Sequence, residues 1–282
     1  MALTVAVALA AAVAFGWSTA LMHHSASGAP AEIGGPIMLL RHLAGESRWM
    51  VGMAASLIGF GLHALALHLG SLAVVQPLVV TGLVFSFIFR AALDGHLPSR
   101  QTMAWGIVTA SGVGVFLVGV SATAASGRMY GPGAETVLVT GAALAAATSV
   151  AASRAKPRHA GLLLGISAGV VFGLIAGVLK ATLATSAQGA AMLTTWPLYA
   201  LALLGGAGLV LNQRTYHQTS LASSLPALNT VNPVVAVAFG VVGFHEYPCE
   251  DPAAIAAQVL GLAGMLVGVL FLARRDDAGA AA

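Results

Sequence analysis

Residues 160–186 read AGLLLGISAGVVFGLIAGVLKATLATS, an apolar run broken by a single charge, Lys180. A helix rises about 1.5 Å per residue, so roughly 20 such residues cross a hydrocarbon layer of about 30 Å. The run is continuously apolar and does not alternate, which selects a helix over a barrel strand as the backbone that satisfies its own hydrogen bonds in lipid. Gly161, Gly165, Gly169, Gly173 and Gly177 recur every fourth residue and lie along one stripe, with Lys180 falling on it.

Similar runs fill the chain. Only 7% of its 282 residues are charged and 58% are hydrophobic, too little polar surface for a soluble domain. The spans fall at about 3–22, 49–69, 71–90, 102–121, 135–153, 160–186, 196–213, 221–243 and 253–273. This predicts an all-α, polytopic membrane bundle of about nine spans. The segment 23–48 mixes Gly, Pro, Ser and charge around a short apolar patch, and reads as a loop with an interfacial piece; an extra span within 30–46 is the alternative. No Lys or Arg precedes the first run, so it reads as a span and not as a cleaved leader. The lone Cys249 can form no intramolecular disulfide.

Lys and Arg accumulate on the cytoplasmic side of membrane proteins. With the N-terminus outside, nine spans place Arg41, Arg48, Arg90, Arg100, Arg154, Lys156, Arg158, Arg214, Arg274 and Arg275 inside, and leave Arg128 outside. Glu246, Glu250 and Asp251 then form an acidic outer loop, and 274–282 a cytoplasmic tail. The location expected is the plasma membrane.

Internal symmetry is the next signal. Ala8, Ala12, Gly16, Ala20 and His23 repeat the spacing of Gly165, Gly169, Gly173, Gly177 and Lys180, and Phe15-Gly16 stands where Phe172-Gly173 stands. Ser71-Leu72-Ala73 with Pro77 matches Ser220-Leu221-Ala222 with Pro226. Matched spans lie an odd number of crossings apart, so they run in opposite directions. The expected organisation is a single transporter domain over 1–282: a first repeat 1–121, a linker span 122–159, a second repeat 160–273, and the tail.

Ionisable and amide groups within lipid mark pathways. The candidates are Lys180; Asn229 and Asn232, set between Pro226 and Pro233; Gln76 beside Pro77; Asn212 and Tyr216 in the polar run NQRTYHQ; and His63. Proline frees helical carbonyls and amides both donate and accept. Gly165, Gly169, Gly173 and Gly177 serve packing, and Pro77, Pro226 and Pro233 serve as hinges. The plainer readings are that Lys180 snorkels to the outer interface, that the amides glue helices together, and that most of NQRTYHQ is a solvated turn. His63 and His68 lie about 140° apart on a helix and do not make one metal site by themselves. No acidic residue falls deep in any expected span.

The stretch 212–246, NQRTYHQTSLASSLPALNTVNPVVAVAFGVVGFHE, followed by Gly261, Gly264 and Gly268, resembles the drug/metabolite transporter superfamily, and within it the nine-span branch of the NIPA magnesium transporters. GSLAVVQPLVV at 70–80 and the position of Lys180 add to the likeness. The resemblance implies a two-bundle, EamA-like 4 + 1 + 4 inverted repeat with its pathway between the halves. The chain departs from the magnesium transporters where it has the uncharged LIGFGLHALALH at 57–68 and Asp94-Gly95-His96 after the third span.

The expected function is therefore a secondary transporter or facilitator of a small solute. Transport of magnesium or another divalent cation is one alternative, and a non-transporting scaffold another. The chain has no P-loop, HExxH or GxSxG motif and reads as no enzyme, with no cofactor. Membrane lipid and a small molecule or ion are the expected partners, and no basic, aromatic-studded cluster points to nucleic acid. The glycine stripe can pack within one chain or between two, which leaves a homodimer open.

Overall fold

The computed structural model describes residues 1–30, 33, 35–95, 97, 99–119, 133–186, 189–218, 221–246 and 251–280. Arg128, Cys249, Glu250 and His96 lie outside them, as does the junction between the first repeat and the linker span; the side chain of Pro226 is also outside. The described chain is all-helical: α1 (Ala2–Ser27), α2 (Pro36–Leu43), α3 (Ser47–Leu69), α4 (Leu72–Val80), α5 (Gly82–Leu93), α6 (Arg100–Gly119), α7 (Gly133–Arg154), α8 (Pro157–Ser186), α9 (Trp196–Gln218), α10 (Leu221–Phe244) and α11 (Pro252–Ala280), with a 3₁₀ turn at Gly189–Thr194.

Among the described residues, seven helical stretches are long and apolar enough to cross a membrane, with α4 and α5 counting as one. The expected crossings at 102–121 and 196–213 are also helices, α6 with 20 residues and α9 with 23, and α9 ends in the polar NQRTYHQ. The 30–46 segment holds only the eight-residue α2, about 12 Å long and too short to cross. The chain continues as helix through Arg274 and Arg275 to Ala280, so the expected tail extends the last helix.

The expected third span is two helices. Pro77 has no N–H and interrupts the ladder, and at Thr81 the backbone N–H donates to Leu78 O at 3.1 Å while the hydroxyl donates to the same carbonyl at 2.6 Å. The turn into α4 is capped by Ser71, whose Oγ accepts from Val74 N at 3.4 Å.

Small residues decide the packing. The stripe on α8 lies against α10: a Cβ on Gly169 would come 2.9 Å from Leu228 O, and one on Gly173 2.7 Å from Asn232 O. The stripe is thus filled from within the chain. In the first half Gly16 and Gly82 bring α1 and α5 together; a Cβ on Gly82 would sit 2.9 Å from Ala12 O. α6 and α11 touch backbone to backbone at Gly112 and Gly261. α1 packs on α3, α4 and α5, while α8 packs on α7, α9 and α10. Large apolar side chains turn outward instead, Ile58 (62% exposed) and Val139 (67%) among them, as a lipid-facing surface requires.

Candidate functional site: a central cavity and a closed end

A cavity of about 550 Å³ lies between α1, α3, α4 and α5 on one side and α8, α9 and α10 on the other. Six of the seven candidate pathway residues line it: His63, Gln76, Asn212, Tyr216, Asn229 and Asn232. Phe15, Phe60 and Phe172 supply rings, and Ser18, Ser56 and Ser86 supply hydroxyls. Among the described residues, no charged side chain lines it.

The local sequence explains these placements. On α10, Asn229 and Asn232 lie three residues apart on one face, and Pro233 withholds the helical N–H that would meet the Asn229 carbonyl. On α4, Gln76 precedes the helix-interrupting Pro77, and its Nε2 lies 3.4 Å from His63 Nε2 on α3. An amide N–H₂ can only donate, so this contact fits a neutral imidazole whose Nε2 accepts. Phe15 meets the His63 ring edge-on at 6.1 Å. On α9, Tyr216 is buried, its hydroxyl faces the Asn212 and Thr19 side chains, and its ring packs edge-on to His23 at 5.7 Å. The next residue, Gln213, accepts from Trp49 Nε1 at 3.2 Å and ties α9 to α3.

Two of the lining amides are incompletely satisfied. Asn212 Oδ1 and Asn232 Oδ1 are buried without a hydrogen-bond partner, although both residues line the cavity. Buried acceptors of this kind are costly unless something fills the space beside them.

Lys180, the seventh candidate, lies elsewhere. It is 8% exposed and does not snorkel. Its Nζ donates to Gly70 O at 3.1 Å and forms a buried ion pair with Glu246 Oε1. Glu246 Oε2 in turn accepts from Leu72 N at 3.0 Å, and the Phe244 ring lies 5.6 Å from Nζ. Four points of the chain are thus tied together: α8, the end of α10, and both sides of the α3–α4 turn.

Glu246 is the residue that the sequence reading misplaced, as part of a solvated acidic loop. The chain reverses after α10 at His245, whose φ of 55° is left-handed, and Glu246 N donates back to Gly240 O at 3.1 Å, turning the carboxylate inward. A signal was present: a lysine buried within a helix needs a counter-charge, and FHE ends α10 at the level where Lys180 nears the end of α8.

A larger groove of about 870 Å³ runs along the outer face between α2, α7, α8 and α9. Small side chains such as Ala142, Ala146 and Ala207 shape it, and none of the pathway candidates lines it. Size and chemistry therefore point to different places, and the polar convergence from seven helices marks the smaller cavity as the site.

No protein-family model matches the chain, and no solved structure matches it. It is similar to a Corynebacterium glutamicum protein described as uncharacterized, with 27% identity over 248 residues that cover 86% of this chain and 85% of that one.

Proposed function

We propose that the chain is a secondary transporter or facilitator of a small organic solute in the plasma membrane, built as a nine-span, drug/metabolite-transporter-like inverted repeat. The observation that carries this is the central cavity, walled by both sets of helices and lined with amides, hydroxyls and rings.

The packing supports the repeat. α1 lies on α3 and α5 as α8 lies on α9 and α10; α1 reaches across to α9 as α8 reaches to α3; and α4 meets α10, and α6 meets α11, each helix touching its own counterpart. Gly16 approaches Ser86 as Gly173 approaches Val235, and the offset between Ser86 and Val235 equals that between Ser71 and Ser220. A two-fold in the membrane plane produces this set of pairs. Under it α6 and α9 are crossings as well, and the distribution of Lys and Arg sets the N-terminus outside.

Alternating access then follows from rocking one half on the other. The Lys180–Glu246 pair closes the outer end, because its partners Gly70 and Leu72 belong to the first half while Lys180 and Glu246 belong to the second. Opening that end separates them. The cavity lining runs from His63 and Gln76, about one to two turns below that closure, past Asn232 to Asn212 and Tyr216 toward the other end.

Magnesium fits this cavity poorly, since Mg²⁺ binds hard oxygen ligands and usually at least one carboxylate, and among the described residues the lining has none. Purified protein in liposomes holding a trapped magnesium-sensitive dye tests this: the proposal expects no flux above empty vesicles, together with uptake of organic solutes from a labelled panel. Magnesium flux without organic uptake would reverse the assignment.

A further inference from the structure

We infer that the cavity binds an uncharged, flat molecule that presents N–H donors, a carboxamide or a nitrogen heterocycle, with Asn212 and Asn232 as its principal acceptors. The inference rests on the transporter reading only for its biological meaning; the binding chemistry stands on the cavity itself.

Two acceptors in the polar lining lack donors. Asn212 Oδ1 and Asn232 Oδ1 are buried and unpartnered. The Ser18 hydroxyl is committed as a donor to Met22 Sδ at 3.2 Å and the Ser86 hydroxyl to Leu83 O at 2.7 Å, so both turn lone pairs to any further partner. An anion, which brings only acceptors, leaves the two amide oxygens unsatisfied, whereas a neutral N–H donor satisfies them.

Charge is excluded on both sides. The lysine that would have suited an anionic substrate is consumed by Glu246 and Gly70 at the closed end. A cation would leave water for a site without a carboxylate to offset its desolvation. What remains is a neutral molecule whose N–H groups meet the two asparagines while Tyr216 offers a hydroxyl to a ligand carbonyl. Phe15, Phe60 and Phe172 provide faces and edges for a flat ring.

The experiment uses full-length protein in detergent and equilibrium dialysis at pH 7. The probes share size and ring and differ in charge: benzamide and nicotinamide, benzoate and nicotinate, and benzylammonium. The expected result is binding of at least one carboxamide, about tenfold or more tighter than its carboxylate and than benzylammonium. Asn212→Leu and Asn232→Leu should each weaken that binding roughly tenfold, the effect of one net hydrogen bond, while Gly61→Ala, outside the cavity lining, leaves it unchanged. Equal or tighter binding of a charged probe overturns the inference, and so does a failure of both carboxamides to bind. The same probes offered to proteoliposomes separate the two proposals. Carboxamide binding without uptake sinks transport and keeps the ligand class; uptake of charged probes alone sinks the ligand class and keeps transport.

Discussion

Breaking the Lys180–Glu246 pair from one side should cost far more than removing it from both. Both side chains are under 10% exposed. Lys180→Met leaves the Glu246 carboxylate buried with only Leu72 N as a partner, and stranding a buried charge costs about 3–5 kcal/mol. Glu246→Gln strands the ammonium on Gly70 O at a similar cost. The double variant removes both charges, keeps a methylene stem in place of the lysine, and keeps an amide oxygen for Leu72 N. Replacing a buried pair by neutral groups of similar volume is close to neutral, so the double variant should lie within about 1–2 kcal/mol of the parent. For a chain of this length about 1 kcal/mol moves Tm by roughly 2 °C. Each single variant should therefore lose about 6–10 °C and the double variant about 2–4 °C. Thermal unfolding followed by tryptophan fluorescence reads this in detergent, through Trp17, Trp49, Trp105 and Trp196. Single losses that simply add in the double variant would refute the reasoning, since additivity means that the two groups do not interact.

Further expectations concern packing and the α3–α9 tie. Gly173→Ala should lower stability by about 1–3 kcal/mol, because the new methyl meets Asn232 O and the Val235 side chain; Gly61→Ala, with nothing within 4 Å, should be neutral or slightly stabilising, and thermal scans of the two separate close packing from mere composition. Trp49→Phe removes the donor to Gln213 Oε1 when Gln213 Nε2 is already without a partner. It should cost about 1–3 kcal/mol, whereas Gln213→Leu in the same background should recover part of that loss. Thiol labelling of Ala142→Cys, in the groove between α2, α7, α8 and α9, should need a lipid-soluble reagent, because alanines shape the groove there and the same helix turns Val139 outward.

Much of the fold was legible because lipid makes simple demands. Apolar runs of crossing length had to be helices, and each expected span coincides with one. The glycine stripe on α8 had to meet another backbone, and it meets α10. What the runs did not reveal is where a helix breaks: the third span divides at Thr81, four residues after Pro77, where the backbone turns on Leu78 O. The candidate site was legible for a related reason. Amides and histidines are costly in hydrocarbon, so Gln76, His63, Asn212, Tyr216, Asn229 and Asn232 were singled out one by one, and the structure gathers them around one cavity. Lys180 was found by the same rule but its partner was not. Glu246 follows the end of its helix, and only the left-handed turn at His245, which no residue pattern announced, carries it back inside.

The most direct test of the account is the side from which water reaches Asn232. With Cys249→Ser as background, Asn232→Cys in oriented membrane vesicles is exposed to a membrane-impermeant thiol reagent from either face. The account predicts labelling from the cytoplasmic face, little from the outer face, and a gain of outer labelling when Lys180→Met and Glu246→Gln are added to open the closed end. Protection from both faces, with and without the pair, would mean that the amides only hold helices together and that no pathway runs through this cavity.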